Sequence, residues 1–343
     1  MTNATTQVPI VTRQAMQTSN PNMQSDMIRI SSPAQDEGFG DGWHEHRNGP
    51  IPRVSGQVAA ITGVGAGGIG AATALELAVR HGYFVYSCDV DEERGNRTCR
   101  AVCEQGGRMH FTVANAANPQ HMTQFFDQIE LNAGRLDLLV NNVGTAGDHP
   151  AKDNLLETDI DQFHRLLDIN LAAPVFATKD ALRRFMLKQG NGVVCFLGTH
   201  NGQPGRGIRG QFAYGVAKTA LTAVVAELTA HFGNLIRFNL VRPGIVVTDS
   251  PNWRKRRLLD PQYEGREAQQ YPSKQLVRPT DVARAIAWLA SDEARLINGV
   301  ELCVDGGLAS AGISHPAWDT TNFRESFVRS VARHEQESCT KAA

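Results

Sequence analysis

The feature that most constrains this chain is an alternation. Between residues 51 and 310, seven short apolar runs recur: QVAAIT from Gln57, YFVYSCDV from Tyr83, RMHFTVAN from Arg108, LDLLVNNV from Leu136, GVVCFLG from Gly192, LIRFNLV from Leu235 and GVELCVDGG from Gly299. Runs this short, rich in Val, Ile, Phe and Tyr, read as strands. Between them lie stretches of helix formers with glycines at their ends, such as AATALELAVRHG and YGVAKTALTAVVAELTAHFG, and PTDVARAIAWLAS opens with Pro279 at a helix start. Residues 157–190 read as one long helix, bent or interrupted near Pro174. Apolar strands separated by helical crossovers predict an α/β fold, a doubly wound parallel sheet of Rossmann type covered on both faces, in a single domain with N- and C-terminal extensions.

Residues 1–50 are rich in Thr, Ser, Asn, Gln and Pro without apolar periodicity, so they read as a disordered or extended tail. The only basic residue in their first 25 is Arg13, too little for a targeting helix. His44 and His46 lie in this tail without further ligands nearby, and no metal is expected. In the C-terminal extension, 311–343, Phe323, Phe327 and Val331 fall on one helical face. With 34 Lys and Arg against 35 Asp and Glu, the chain lacks the basic surface that nucleic acid demands. It also lacks a run of the roughly 18 apolar residues that a membrane span needs. Six cysteines without CxxC spacing suggest reduced thiols and a cytoplasmic location.

The first strand runs into Thr62-Gly63-Val64-Gly65-Ala66-Gly67-Gly68-Ile69-Gly70, where Gly65, Gly67 and Gly70 match GxGxxG at a strand-to-helix junction. Such glycines let a pyrophosphate approach bare amides at a helix N-terminus. Asp89 follows 19 residues after Gly70, at the end of the second strand. An acid there accepts hydrogen bonds from an adenosine ribose 2′-hydroxyl and repels a 2′-phosphate, so the cofactor expected is NAD, with NADP disfavoured. The bland alternative is an unliganded turn with Asp89 capping the next helix. Further on, Tyr214 and Lys218 share one face at a helix start. An ammonium beside a phenol, helped by a positive nicotinamide ring, is expected to lower the phenol's pKa toward the working range and make it an acid or base.

Taken in order, these motifs resemble those of the classical short-chain dehydrogenase/reductase family over residues 55–310. The glycine run resembles its nucleotide motif, Asn141-Asn142-Val143-Gly144 its NNAG sequence, Asn170 in DINL its helix asparagine, and Tyr214 with Lys218 its YxxxK pair. Arg242-Pro243-Gly244 with Thr248 resembles its PG turn and the threonine that contacts the nicotinamide carboxamide, and Val304-Asp305-Gly306-Gly307 its closing strand. The resemblance implies hydride transfer between nicotinamide and an alcohol or ketone. Tyr214 would exchange the proton, Lys218 bind the nicotinamide ribose, Asn170 hold a relay water through its backbone, and Thr199 stand for the family's serine. Gly63, Gly65, Gly67, Ile69, Gly70, Asp89, Asn115, Asn142, Gly144, Tyr214, Lys218, Pro243, Gly244 and Thr248 would line the cofactor. The resemblance also implies a homotetramer or homodimer.

The sequence departs from the family pattern in three places. The glycine motif is one residue longer, the Thr199 to Tyr214 interval is two residues longer with GQPGRGIRGQF as a loop over the site, and Asn115 replaces an acid near the adenine. A substrate lid is expected over about 249–278, where Trp253, Tyr263 and Tyr271 favour a hydrophobic metabolite. The basic run from Arg254 to Arg257 there is either an anion lure or a solvated helix face. Other readings of the same residues are a cis-diol dehydrogenase, an enoyl-type reductase, or a binding protein that senses NAD without turnover.

Overall fold

The computed structural model describes residues 56–147, 155–156, 158–200 and 211–311. Each of the seven apolar runs is a strand: β1 (Val58–Thr62), β2 (Phe84–Asp89), β3 (Arg108–Val113), β4 (Leu138–Asn141), β5 (Gly192–Leu197), β6 (Ile236–Pro243) and β7 (Glu301–Val304). They form one sheet in the order β3-β2-β1-β4-β5-β6-β7, with every pairing parallel. The expected doubly wound sheet is therefore the observed one. Successive side chains alternate between two cores. Val58, Ala60, Val194 and Phe196 join Phe125, Phe126 and Phe185 on one face. Ala59, Ile61, Val193 and Cys195 join Leu77, Val282 and Ile286 on the other. Burial on both faces explains why these strands read as continuous apolar runs.

The crossovers are helical: α1 (Ile69–Leu75, continuing as a π turn over Glu76–Arg80), α2 (Glu92–Glu104) and α3 (Pro119–Asn132). The long helix over 160–189 comprises α4 (Ile160–Leu167), a π turn (Asp168–Ala172), α5 (Ala173–Ala181), a second π turn (Leu182–Met186) and α6 (Leu187–Gln189). Asp91, Asn118 and Asp159 cap α2, α3 and α4 through their carboxylate or amide oxygens. Next come α7 (Phe212–Phe232), α8 (Pro251–Leu259), α9 (Tyr263–Gln269), α10 (Pro279–Ala290) and α11 (Leu308–Ala311). The segment expected as a lid carries α8 and α9. The N-terminal tail, the C-terminal face of Phe323, Phe327 and Val331, and most of the GQPGRGIRGQF loop lie outside the described residues. Among the described residues no helix is long and apolar enough to cross a membrane, no cluster of potential metal ligands occurs, and Cys88, Cys99, Cys103, Cys195 and Cys303 are free thiols.

Chain direction across the sheet reverses between β1 and β4. The carboxyl ends of these strands open a crevice at that switch point, the place where open α/β sheets take ligands. The glycine run leaves β1 there, Asn142 leaves β4, Thr199 follows β5 and Pro243 ends β6.

Candidate active site

The glycine turn is shaped by contacts that leave no room for side chains. A Cβ on Gly70 would lie 2.0 Å from the Gly63 carbonyl oxygen, and one on Gly63, whose φ is +79°, would lie 2.9 Å from Val143 Cγ2. The Asn142 side-chain amide donates to the Gly63 carbonyl, and Gly63 N–H donates to Cys88 O at 2.7 Å, so the turn is tied to both β4 and β2. Gly68 N–H folds back on Gly65 O at 3.2 Å and Ala72 N–H reaches Gly68 O at 3.1 Å. The Ile69 and Gly70 amides of the first α1 turn thus have no intrahelical acceptor. The Gly65 N–H donates to Asp89 Oδ2 at 2.8 Å. The other Asp89 oxygen accepts Asp91 N–H at 3.0 Å. Asp91, not Asp89, caps α2.

The glycine turn also meets the segment expected as the lid. Gly67, with φ +76°, places its carbonyl 3.0 Å from Asp249 N–H, and a Cβ there would lie 2.5 Å from Asp249 Cβ. The lengthened turn therefore touches the start of the lid. Asn115 is exposed, and its Oδ1 accepts Ala117 N–H at 2.9 Å. A second lone pair on that oxygen can still accept a hydrogen bond.

Tyr214 and Lys218 stand in the first turns of α7, which packs on β6. The Tyr214 phenol hydrogen-bonds the Thr199 side chain. Lys218 Nζ lies 5.9 Å from the Tyr214 ring centroid and donates to Leu197 O at 2.8 Å. Here the expected electrostatics need correction. Burial pushes Tyr214 up to about 12, opposed by the Thr199 hydrogen bond, and burial pulls Lys218 down to about 8. The protein's own groups thus raise the phenol rather than lower it, because desolvation of the phenolate outweighs the Thr199 hydrogen bond that opposes it.

Asn170 is fully buried in the π turn before Pro174. Its amide donates to Thr145 O and Leu166 O, both at 2.9 Å, and its Oδ1 accepts Thr145 N–H at 3.0 Å. The side chain is spent on structure. The N–H that an α-helix would offer its main-chain carbonyl belongs to residue 174, a proline that has none. A Cβ on Gly144 would lie 2.9 Å from Lys218 Nζ and 3.0 Å from Asn170 Oδ1, so a glycine there keeps the lysine and asparagine together.

On the far wall, Gly244 N–H donates to Val304 O at 3.0 Å, and Thr248 Oγ1 lies 3.1 Å from Ser250 Oγ. His200 Nδ1 contacts Pro243 O at 3.2 Å. Tyr271 departs from its expected place among the substrate-facing aromatics. It is buried, its Oη accepts Ile245 N–H at 2.6 Å, and a Cβ on Gly244 would touch that oxygen at 2.9 Å, so it pins the PG turn. The basic run is largely paired within the lid. Arg257 bonds Glu264 at 2.7 Å, Arg254 approaches Asp249 at 3.5 Å, and Arg256 donates to Tyr263 Oη at 2.8 Å with its guanidinium beside Trp253. Sequence reasoning also passed over Arg242 as one letter of the RPG motif. It is fully buried and reaches Glu301, Thr222 and the Thr199 carbonyl. An arginine inside an otherwise apolar strand run was the available signal.

Known proteins resemble this chain over most of its length. The profile of the family described as Enoyl-(Acyl carrier protein) reductase matches residues 63–309. Cyclopentanol dehydrogenase of Comamonas sp. strain NCIMB 9872 is 34% identical over 265 residues, covering 74% of this chain and 98% of the relative. Short chain aldehyde dehydrogenase 1 of Euphorbia lathyris is 31% identical, covering 78% and 92%. The crystal structure of levodione reductase superposes with a TM-score of 0.67 at 27% identity, covering 74% of this chain and 98% of that one. The chain belongs to the short-chain dehydrogenase/reductase family and is an oxidoreductase with a Rossmann-type fold.

Proposed function

We propose that this protein transfers hydride between a nicotinamide dinucleotide, with NAD preferred, and a hydrophobic secondary alcohol or its ketone. The observation that carries the reading is Tyr214 hydrogen-bonded to Thr199 and followed by buried Lys218, beside a glycine crevice too tight for side chains. The residues fit the cofactor: Ile69 and Gly70 amides for the pyrophosphate, Asp89 for the adenosine ribose, Asn115 for the adenine amino group, Lys218 for the nicotinamide ribose, and Pro243, Gly244 and Thr248 for the carboxamide end. When bound, the nicotinamide supplies the hydride acceptor or donor and, oxidised, a positive charge. Tyr214 gives or takes the hydroxyl proton, Thr199 polarises the substrate oxygen, and the Asn170 carbonyl holds a water that passes protons from Lys218 to solvent. Names among the relatives, cyclopentanol dehydrogenase and levodione reductase, support a cyclic alcohol or ketone as the first class to try. Exposed Ile160, Phe176 and Val216 on α4, α5 and α7 support a homodimer or homotetramer through these helices.

The test is an absorbance screen at the reduced-nicotinamide band over cyclic secondary alcohols and ketones, with NAD and NADP in parallel. Activity on at least one member is expected, and binding without any turnover would favour a nucleotide-sensing protein. Two variants probe the cofactor seat. Asp89→Ala should cut NAD preference over NADP by on the order of tenfold to a hundredfold, the worth of hydrogen bonds to a charged acceptor. Full retention of selectivity would remove Asp89 from this role. Gly70→Ala should cost about 1–3 kcal/mol through overpacking against Gly63 O. Lower Tm and weaker NADH binding, followed by calorimetry, are the expected readouts.

A further inference from the structure

Beside Asp89 stands a cation that the reading above does not use. Arg94 is on the first turn of α2, half-buried, and its guanidinium lies flat across Gly65: a Cβ there would be 3.0 Å from Cζ, 3.1 Å from Nη1 and 3.2 Å from Nη2. Among the described residues, its single side-chain hydrogen bond runs from Nη2 to Ala66 O at 3.0 Å. No carboxylate pairs with it among the described residues, although Asp89, Asp91, Glu92 and Glu93 are all close in sequence. Asp91 is occupied by the Arg94 main-chain N–H at 2.9 Å and Glu93 by Arg97 at 2.6 Å. Asp89 holds Gly65 N–H on one oxygen and Asp91 N–H on the other. Gly65 thus carries the acid on its amide and the guanidinium across its α-carbon, both at the mouth of the same crevice. A guanidinium has five donors in a planar fork suited to phosphate, and this one spends one of them.

We propose that Arg94 is a second specificity residue at the adenosine ribose, seating a 2′-phosphate that Asp89 alone would repel, so that the protein accepts NADP as its weaker cofactor. The inference rests on the dinucleotide reading of this crevice. Asp89 serves the 2′-hydroxyl of NAD, and Arg94 offsets its charge when a phosphate is present. The two act in opposite senses on one substituent. The contribution of Arg94 is electrostatic, and salt weakens it.

Calorimetry on the full chain with 5′-AMP and 2′,5′-ADP isolates the substituent from catalysis. Wild type should bind both, 5′-AMP more tightly. Arg94→Gln should weaken 2′,5′-ADP by about tenfold or more, the scale of a charge-assisted phosphate contact, and leave 5′-AMP nearly unchanged. Asp89→Asn should tighten 2′,5′-ADP when Arg94 is present and much less in the Arg94→Gln background. Equal weakening of both nucleotides by Arg94→Gln would overturn the proposal, since Arg94 would then only brace the glycine turn. Wild type binding 5′-AMP but not 2′,5′-ADP would overturn it as well. Wild type binding neither nucleotide, nor NADH, would overturn the dinucleotide reading itself. Circular dichroism checks that each variant is folded.

Discussion

Tyr214→Phe should lose about 10²–10⁴ of the turnover, the usual worth of a positioned acid or base, while NADH binding and Tm stay close to wild type. The ring is retained, so its packing on α7 survives, and only the oxygen that meets Thr199 is removed. The variant also separates an enzyme from a nucleotide sensor, because a sensor would be indifferent to it once binding is intact. The pH dependence carries the sign. Burial holds Tyr214 up at about 12, so at neutral pH the protein alone keeps the phenol protonated. That form serves ketone reduction, whereas alcohol oxidation needs the phenolate, so the oxidation rate should climb as pH rises from neutral. Lys218, pulled down to about 8, loses its ammonium over the same interval and with it part of the phenolate's support, which flattens the climb. Stopped-flow rates with NAD across pH 6–10 would check this. A pH-independent rate in wild type, or substantial turnover in Tyr214→Phe, would remove Tyr214 from proton transfer.

The strands were legible because burial on both faces writes itself as uninterrupted Val, Ile, Leu and Phe, and the helices because Pro119, Pro279 and the terminal glycines punctuate them. The Tyr214 and Lys218 pair was legible for a simpler reason: four residues on a helix fix the relation between two side chains before any tertiary contact exists. Other features depended on partners distant in sequence. That Gly65 gives its amide to Asp89 follows from a contact 24 residues away, and that Tyr271 pins Ile245 follows from one 26 residues away. Neither has a local signature. The electrostatic expectation failed differently. Nearness of Lys218 to Tyr214 was readable, but the cost of desolvating both was not, since it depends on how deeply α7 packs on β6 and its neighbours. The bend expected near Pro174 lies four residues earlier, as a π turn at Asn170, where the missing proline N–H is felt.

Arg242→Met tests the frame that holds Thr199. Arg242 is 0% exposed, and its guanidinium donates from Nε to Glu301 at 2.7 Å, from Nη1 to the Thr199 carbonyl at 3.1 Å, and from Nη2 to the Thr222 hydroxyl. One side chain on β6 thus joins the segment after β5, helix α7 and edge strand β7. Methionine approximates the aliphatic stem but satisfies none of the three acceptors. Breaking a buried pair from one side costs about 3–5 kcal/mol, which for a fold of this size lowers Tm by on the order of 10 °C. Removing the other half as well, in Arg242→Met/Glu301→Leu, should recover part of the loss, because no carboxylate is then left without its partner. Acid titration gives an independent check. Desolvation pushes the Glu301 carboxyl up, but hydrogen bonds from Arg242 and Thr222 and the Arg242 charge outweigh it and hold the group below its usual range. A carboxyl lowered in the folded state stabilises above its unfolded pKa and loses that increment as pH falls through the folded one. Wild type should therefore lose stability over this acid interval more steeply than Arg242→Met. Identical acid limbs, or an unchanged Tm, would mean that the pair contributes nothing to the fold, and Thr199 would need another anchor.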